Sequence, residues 1–227
     1  MSKDLEKEKQ LAAKEAVKLL SNNKIVGLGT GSTATYVVKE IANLVRNGLV
    51  IQAVPTSDKT KELAETLNIP IADINRIDSI DITIDGADEF NSDLILIKGG
   101  GGALLKEKIV ASMTKKEIII ADSSKKVDKL GKFPLPVEVI PFAASYVMRK
   151  LSQINGSGKI RIKGTSPFIT DEGNYIIDTD FGVIGDPVSL SNTLNNIEGV
   201  VAHGLFIKLA DKIIMGVGET NTTVTFG

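Results

Sequence analysis

Residues 81–108 read DITIDGADEFNSDLILIKGGGGALLKEK, and this stretch restricts the fold more than any other. Two apolar runs of strand length, 82–84 and 94–97, each end abruptly in chemistry. The first runs into Asp85, Gly86, Ala87, Asp88 and Glu89, the second into Lys98 and four consecutive glycines. Turns favour Asp and Gly, so one acidic loop alone would be an ordinary solvated turn. A second loop beside it changes the reading, because parallel sheets gather ligands at the carboxyl ends of neighbouring strands. Four glycines in a row are also costly to order, which points to a place where something must approach backbone N–H groups closely.

The surrounding pattern supplies such a sheet. An amphipathic helix is expected over residues 4–20, followed by a strand from Lys24 that runs into Gly27, Gly29 and Gly31 and then a helix to residue 45. A strand over 50–54, a Ser57–Asp58 N-cap, a helix over 59–67, a strand over 69–74, a helix over 103–113 and a strand over 117–121 continue the βαβ rhythm. At residues 132–136 the punctuation changes. Strands at 137–140, 159–163, 174–180 and 200–207, with helices at 143–153 and 189–197, give the order βαββαβ of a ferredoxin-like unit. The strand at 212–217 has no partner left there and is expected to return to the first sheet. The fold predicted is α/β: a Rossmann-like, doubly wound, mostly parallel sheet over residues 1–130 and 208–227, with a ferredoxin-like small domain inserted at 131–207.

Composition narrows the chemistry. With 227 residues, 42% of them hydrophobic, the chain can bury substantial cores. It has no cysteine and one histidine, His203, which excludes disulfides, thiolate metal sites, a Cys nucleophile and a His cluster for zinc. His203, on a strand remote in sequence from the charged loops, is expected to be structural. Acid–base work falls to Asp, Glu, Lys or Tyr. A net charge of −1, from 27 basic and 28 acidic residues, gives no footprint for nucleic acid or an anionic membrane. No apolar run approaches the ~20 residues of a spanning helix and the N-terminal segment lacks a secretory apolar core, so a cytoplasmic protein is expected.

The loop at 27–34, GLGTGSTA, is strand, glycine turn and helix start, which suits a phosphate or small anion. Its third glycine comes too early for a dinucleotide fingerprint and it carries no P-loop lysine. Thr30, Ser32 and Thr33 would add hydroxyls to the backbone donors. Of Glu107 and Lys108, adjacent on a helix, one is expected to face outward.

Taken together with PTS at 55–57, ADSSKKV at 121–127, PLPVEVIPFA at 134–143, TDEGNYIID at 170–178 and GVVAHGLF at 199–206, these motifs make the chain resemble the A-type ribose-5-phosphate isomerases over nearly its whole length. The resemblance implies interconversion of D-ribose 5-phosphate and D-ribulose 5-phosphate in the non-oxidative pentose phosphate pathway, with no metal or organic cofactor, by a homodimer or homotetramer. It places Thr30, Gly31, Ser32 and Thr33 on the substrate and gives the sugar hydroxyls to Asp85, Gly86, Ala87 and Asp88. Lys98, Gly99, Gly100 and Gly101 then line the reacting end, Glu107 accepts the proton, Lys125 binds substrate and Lys9 helps hold phosphate. The chemistry asks for the same types: a base for C2, donors for the enediolate oxygen and carboxylates for ring opening, for which Asp85 and Asp88 are both candidates. Two other classes share such a sheet. A sugar-phosphate sensor would lack the full acidic and basic set and carry a DNA-binding segment, and a coenzyme A transferase would need more chain.

Overall fold

The structure, a computed structural model, describes residues 4–218 and 222–227. Residues 1–3 and 219–221, counted in the expected large domain, lie outside the described residues.

A six-stranded sheet organises the chain: β1 (Lys24–Leu28), β2 (Ile51–Pro55), β3 (Ile82–Gly86), β6 (Glu117–Ala121), β14 (Lys212–Val217) and β15 (Thr222–Phe226), in the order β15-β14-β6-β3-β1-β2. All neighbours are parallel except β15, which runs antiparallel to β14. Both faces of the inner strands β3, β6 and β14 are covered, which is why β6 reads as a continuous apolar run, whereas the edge strand β15 is mostly exposed. Alternation along β6 shows the division. Ile118 and Ile120 face α1 (Leu5–Ala16) and α2 (Ser32–Arg46), whereas Ile119 and Ala121 face Phe90, Phe206 and Ala111 of α4 (Leu104–Met113).

A four-stranded antiparallel sheet is built from β7 (Leu135–Val139), β8 (Ser157–Ile160), β11 (Tyr175–Asp180) and β12 (Val200–His203), in the order β12-β7-β11-β8. Helices α5 (Ala144–Gln153) and α6 (Pro187–Asn195) supply Val147, Leu151 and Leu194 to its core. This is the ferredoxin-like order. A hairpin of β9 (Ile162–Lys163) and β10 (Ser166–Pro167) extends from β8.

Several local expectations are corrected. The run at 94–97 does not enter the parallel sheet: Leu94 adopts φ +59°, and only β5 (Leu96–Ile97) remains, paired antiparallel with β4 (Glu89–Phe90) on one side and β13 (Leu205–Phe206) on the other. The expected strand at 200–207 is split at Gly204, where a Cβ would strike the Lys98 carbonyl. After this break the chain leaves the four-stranded sheet and β13 joins β5, with the Lys98 N–H donating to the Gly204 carbonyl at 2.9 Å. Residues 69–74 form one bridge, Ala53 to Ile71, and then a 3₁₀ turn. Strand β15 was not expected at all.

Candidate active site

The site forms where β1, β3, β5 and the turn after β6 end together. At the end of β1 the Gly29 N–H donates to Ile84 O at 3.0 Å, which draws the loop across the tip of β3. A Cβ at Gly29 would overlap the Asp85 carboxylate and come within 2.5 Å of Asp85 Cα, so only glycine permits this approach. Asp85 Oδ1 then accepts from the N–H groups of Thr30 (3.1 Å) and Gly86 (2.6 Å). Gly31 is the N-cap of helix α2, and its φ of +108° suits glycine. The Thr30 hydroxyl turns back, 2.8 Å from Thr56 Oγ1 and 2.9 Å from Ser57 Oγ, while Thr60 Oγ1 donates to Gly29 O. That hydroxyl network ties the loop to α3 (Asp58–Thr66), whose N-cap is Ser57.

Lys98 lies at the centre. Its ammonium is 2.9 Å from Asp85 Oδ2 and 3.6 Å from Glu107 Oε1, donates to Gly86 O at 2.5 Å and sits 5.4 Å from the centre of the Phe206 ring. The three side chains Lys98, Asp85 and Glu107 are only 2%, 1% and 4% exposed, so solvent screens their charges little. Burial alone would lower the Lys98 pKa, but attraction from Asp85 and Glu107 outweighs it and the net shift is upward. One ammonium therefore serves two carboxylates, and it lies nearer to Asp85. Glu107 has the weaker contact, and its Oε2 is buried with no hydrogen-bond partner. Burial, with repulsion from Asp85 and Asp88, pushes Glu107 up to about 8 against the pull of Lys98. Glu117, buried on β6 behind the cluster, is raised well above its ordinary value by burial and by repulsion from Asp85.

A cleft of about 90 Å³ opens in front of this cluster. Thr30, Gly31, Ser32, Thr33, Gly86, Ala87, Asp88, Lys98, Gly99, Gly101, Glu107 and Lys125 line it. Asp85 and Gly100 lie behind the lining, Gly100 donating its N–H to Asp88 Oδ2 at 2.7 Å. Lys9 is not in the lining either; its ammonium is 2.6 Å from Glu6. Lys125, on the 3₁₀ turn Ser123–Lys125, is half-buried, and no carboxylate pairs with it among the described residues. Larger hollows, about 880 Å³ beside α3 and α4 and about 740 Å³ between α5 and α6, contain no buried ionisable side chain.

The expectation that one of Glu107 and Lys108 faces outward fails. Helix α4 is packed between the large sheet and β7 and β12, so two neighbouring positions are covered. Lys108 donates to His203 O (2.5 Å) and Leu205 O (2.9 Å), and burial lowers its pKa to about 8. His203 accepts the Leu205 N–H at Nδ1 (3.2 Å), and burial together with Lys108 holds it down to about 3; it packs the chain break and stays away from the cleft.

An open α/β sheet with an anion-type glycine loop and a buried Lys–carboxylate set at its strand ends defines a protein that works on a small, negatively charged substrate. The comparisons narrow this class. The family described as ribose 5-phosphate isomerase A (phosphoriboisomerase A) matches residues 52–220. The ribose-5-phosphate isomerase A of Ruegeria sp. (strain TM1040) is 46% identical, covering 99% of this chain and 90% of the relative. That of Bacillus mycoides (strain KBAB4) is 49% identical over 92% of this chain and 95% of its own. A solved D-ribose-5-phosphate isomerase in complex with phospho-erythronic acid superposes with a TM-score of 0.95 at 40% identity, covering 98% of this chain and 99% of that one. The chain belongs to the ribose 5-phosphate isomerase A family, whose members interconvert ribose 5-phosphate and ribulose 5-phosphate.

Proposed function

We propose that this chain carries out that interconversion through an enediolate, with Glu107 as the base that moves hydrogen between C2 and C1. The observation that carries the reading is the Glu107 carboxylate: buried, lining the cleft, with an unpartnered oxygen and a pKa raised to about 8, which suits a group that takes and returns a proton near neutrality. Removal of the C2 proton from the open-chain aldose leaves negative charge on O1. The Lys98 ammonium, held by Asp85, and the Gly101 N–H are the donors for it; one preorganised donor of this kind is worth ~3 kcal/mol in the transition state. Returning the proton to C1 and passing the O2 proton to O1 gives the ketose.

Asp88 lines the cleft and Asp85 does not, so Asp88 serves ring opening and the sugar hydroxyls while Asp85 orients Lys98. At the other end, the start of α2 at Gly31, Ser32 and Thr33 faces the phosphate with Lys125. Two units share the task in this reading, residues 1–130 with 208–227 as the catalytic unit and 131–207 as the small one. Family membership supports a cytoplasmic homodimer or homotetramer working without metal or organic cofactor. Among the described residues, no helix is long and apolar enough to cross a membrane.

NMR of ribose 5-phosphate with the protein in D2O tests this directly. Ribulose 5-phosphate should appear with solvent deuterium on the migrating carbon position, at the same rate with and without chelator. Conversion with complete retention of carbon-bound hydrogen would argue for hydride transfer in place of an enediolate, and loss of activity with chelator would bring in a metal.

A further inference from the structure

Four glycines carry no side chain with which to hold their own conformation, yet two of their peptide groups are fixed from outside. Arg161 lies at the turn between β8 and β9, on the four-stranded sheet. Its Nη1 donates to Gly99 O (2.9 Å) and to Gly100 O (3.2 Å). The other edge of the guanidinium is engaged by Asp178 on β11, with Nε to Oδ2 at 2.9 Å and Nη2 to Oδ1 at 2.5 Å. Arg161 is 15% exposed and Asp178 30%. Phe168, which closes the same hairpin, packs under the guanidinium (5.8 Å to the ring centre) and lies so close to Gly102 that a Cβ there would overlap its ring.

A trans peptide group is planar and its C=O and N–H point in opposite directions. Drawing the Gly99 and Gly100 carbonyls toward Arg161 therefore turns the N–H groups of Gly100 and Gly101 the other way. The Gly100 N–H meets Asp88. The Gly101 N–H has no acceptor among the described residues, and Gly101 lines the cleft. We propose that Arg161, locked by Asp178, is a positioning residue for catalysis: from the small sheet it sets the two peptide planes that orient Asp88 and present the Gly101 N–H to the enediolate oxygen. The planar guanidinium gives two parallel donors to the Asp178 carboxylate and a separate donor to the two carbonyls, a bidentate geometry that a lysine ammonium does not reproduce. The inference rests on the reading that the glycine loop faces the reacting end of the substrate.

The test compares Arg161→Met, Arg161→Lys, Asp178→Asn and Lys98→Met. Arg161→Met should lower kcat by about 30- to 300-fold, somewhat below the full loss of an oxyanion donor, while KM changes by less than about threefold because the phosphate end is untouched. Inhibition by phospho-erythronic acid, whose carboxylate places negative oxygen at the reacting end, should weaken in step with kcat, and inhibition by inorganic phosphate should not. Arg161→Lys, which keeps charge and stem, should lose at least about tenfold in kcat, and Asp178→Asn should show the same kcat-only pattern. A folded Arg161→Met or Arg161→Lys variant within about threefold of parental kcat, while Lys98→Met collapses, overturns the role of Arg161 and leaves the site reading standing. Equal effects on kcat and KM, or on both inhibitors, would show a merely structural residue and overturn it too. If Lys98→Met itself retains activity, the site reading falls and the inference with it. Should Arg161→Met fail to fold, Arg161→Lys and Asp178→Asn decide the matter by the same criteria.

Discussion

Replacing Glu107 with Gln separates what its charge does in catalysis from what it costs the fold. Glutamine keeps the shape and can still hydrogen-bond the sugar, but it cannot accept the C2 proton, so kcat should fall by ~10²- to 10⁴-fold with little change in KM. In the parent, the ionised fraction of Glu107 grows about tenfold per pH unit below its pKa of about 8, so kcat/KM should rise about 50-fold between pH 6 and pH 8. Stability should move the opposite way. The unfolded chain releases this proton near 4.5 and the folded chain near 8, so between those values the native state holds the extra proton. The contribution to stability is complete below about pH 4.5 and lost as pH climbs through 8, with a slope of up to ~1.4 kcal/mol per pH unit. Glu117, raised by the same kind of burial, adds to the slope in the same sense. Glu107→Gln removes the Glu107 contribution and leaves that of Glu117. Urea unfolding at pH 6 and pH 9 should show the variant losing less stability than the parent across that interval, and the gap between them should favour the variant most at pH 9. A folded Glu107→Gln protein with more than about a tenth of parental kcat, or with an unchanged pH slope of stability, would refute the reasoning.

Three further perturbations probe the rest of the site. Lys125→Ala and Ser32→Ala should each raise KM by about tenfold or more with kcat nearly preserved, as expected for contacts remote from the reacting carbons, and unchanged KM in both would move the phosphate elsewhere. Asp88→Asn should abolish acceleration of ribose 5-phosphate anomer exchange, read by NMR, whereas Glu107→Gln should retain it. Gly29→Ala places a methyl group into the Asp85 carboxylate and backbone and should destabilise the fold by about 2–3 kcal/mol in urea; a smaller loss than about 0.5 kcal/mol would mean that the β1 and β3 loops can separate.

Much of this architecture was readable from sequence because its signals are local. Strand periodicity, the Ser57 cap and the glycine punctuation at 27–31 and 98–102 belong to contiguous segments. Lys98 and Asp85 were readable as members of one site because each closes an apolar run, although the run before Lys98 lies outside the parallel sheet and their direct pairing was not foreseen. The failures are of another kind. Ile95 to Ile97 looks like a central strand in composition, but pairing with β4 and β13 depends on Gly204, over a hundred residues away. One of Glu107 and Lys108 was expected to face outward because nothing in the helix itself announces that α4 is covered on two sides. Arg161 sits in KIRIK, indistinguishable by pattern from a charged surface strand, and only the fold brings it to the carbonyls of Gly99 and Gly100. Of the hydroxyl network, the sequence offered only PTS at 55–57 and the Ser57 cap; that Thr56, Ser57 and Thr60 hold a loop contributed by another strand is visible only in the fold.

The order of the large sheet has a consequence for how the chain is made. Strand β6 is complete by residue 121, but its outer neighbour β14 comes only at residues 212–217, after the entire four-stranded sheet. During synthesis Ile118, Ile119 and Ile120 therefore wait, as an unpaired and strongly apolar edge, for ~90 residues of further translation, several seconds or more at ordinary ribosomal rates. A nascent chain of this protein is most vulnerable to intermolecular strand pairing in that interval, and codon choice between residues 122 and 212 should affect soluble yield more than the same changes placed before β6.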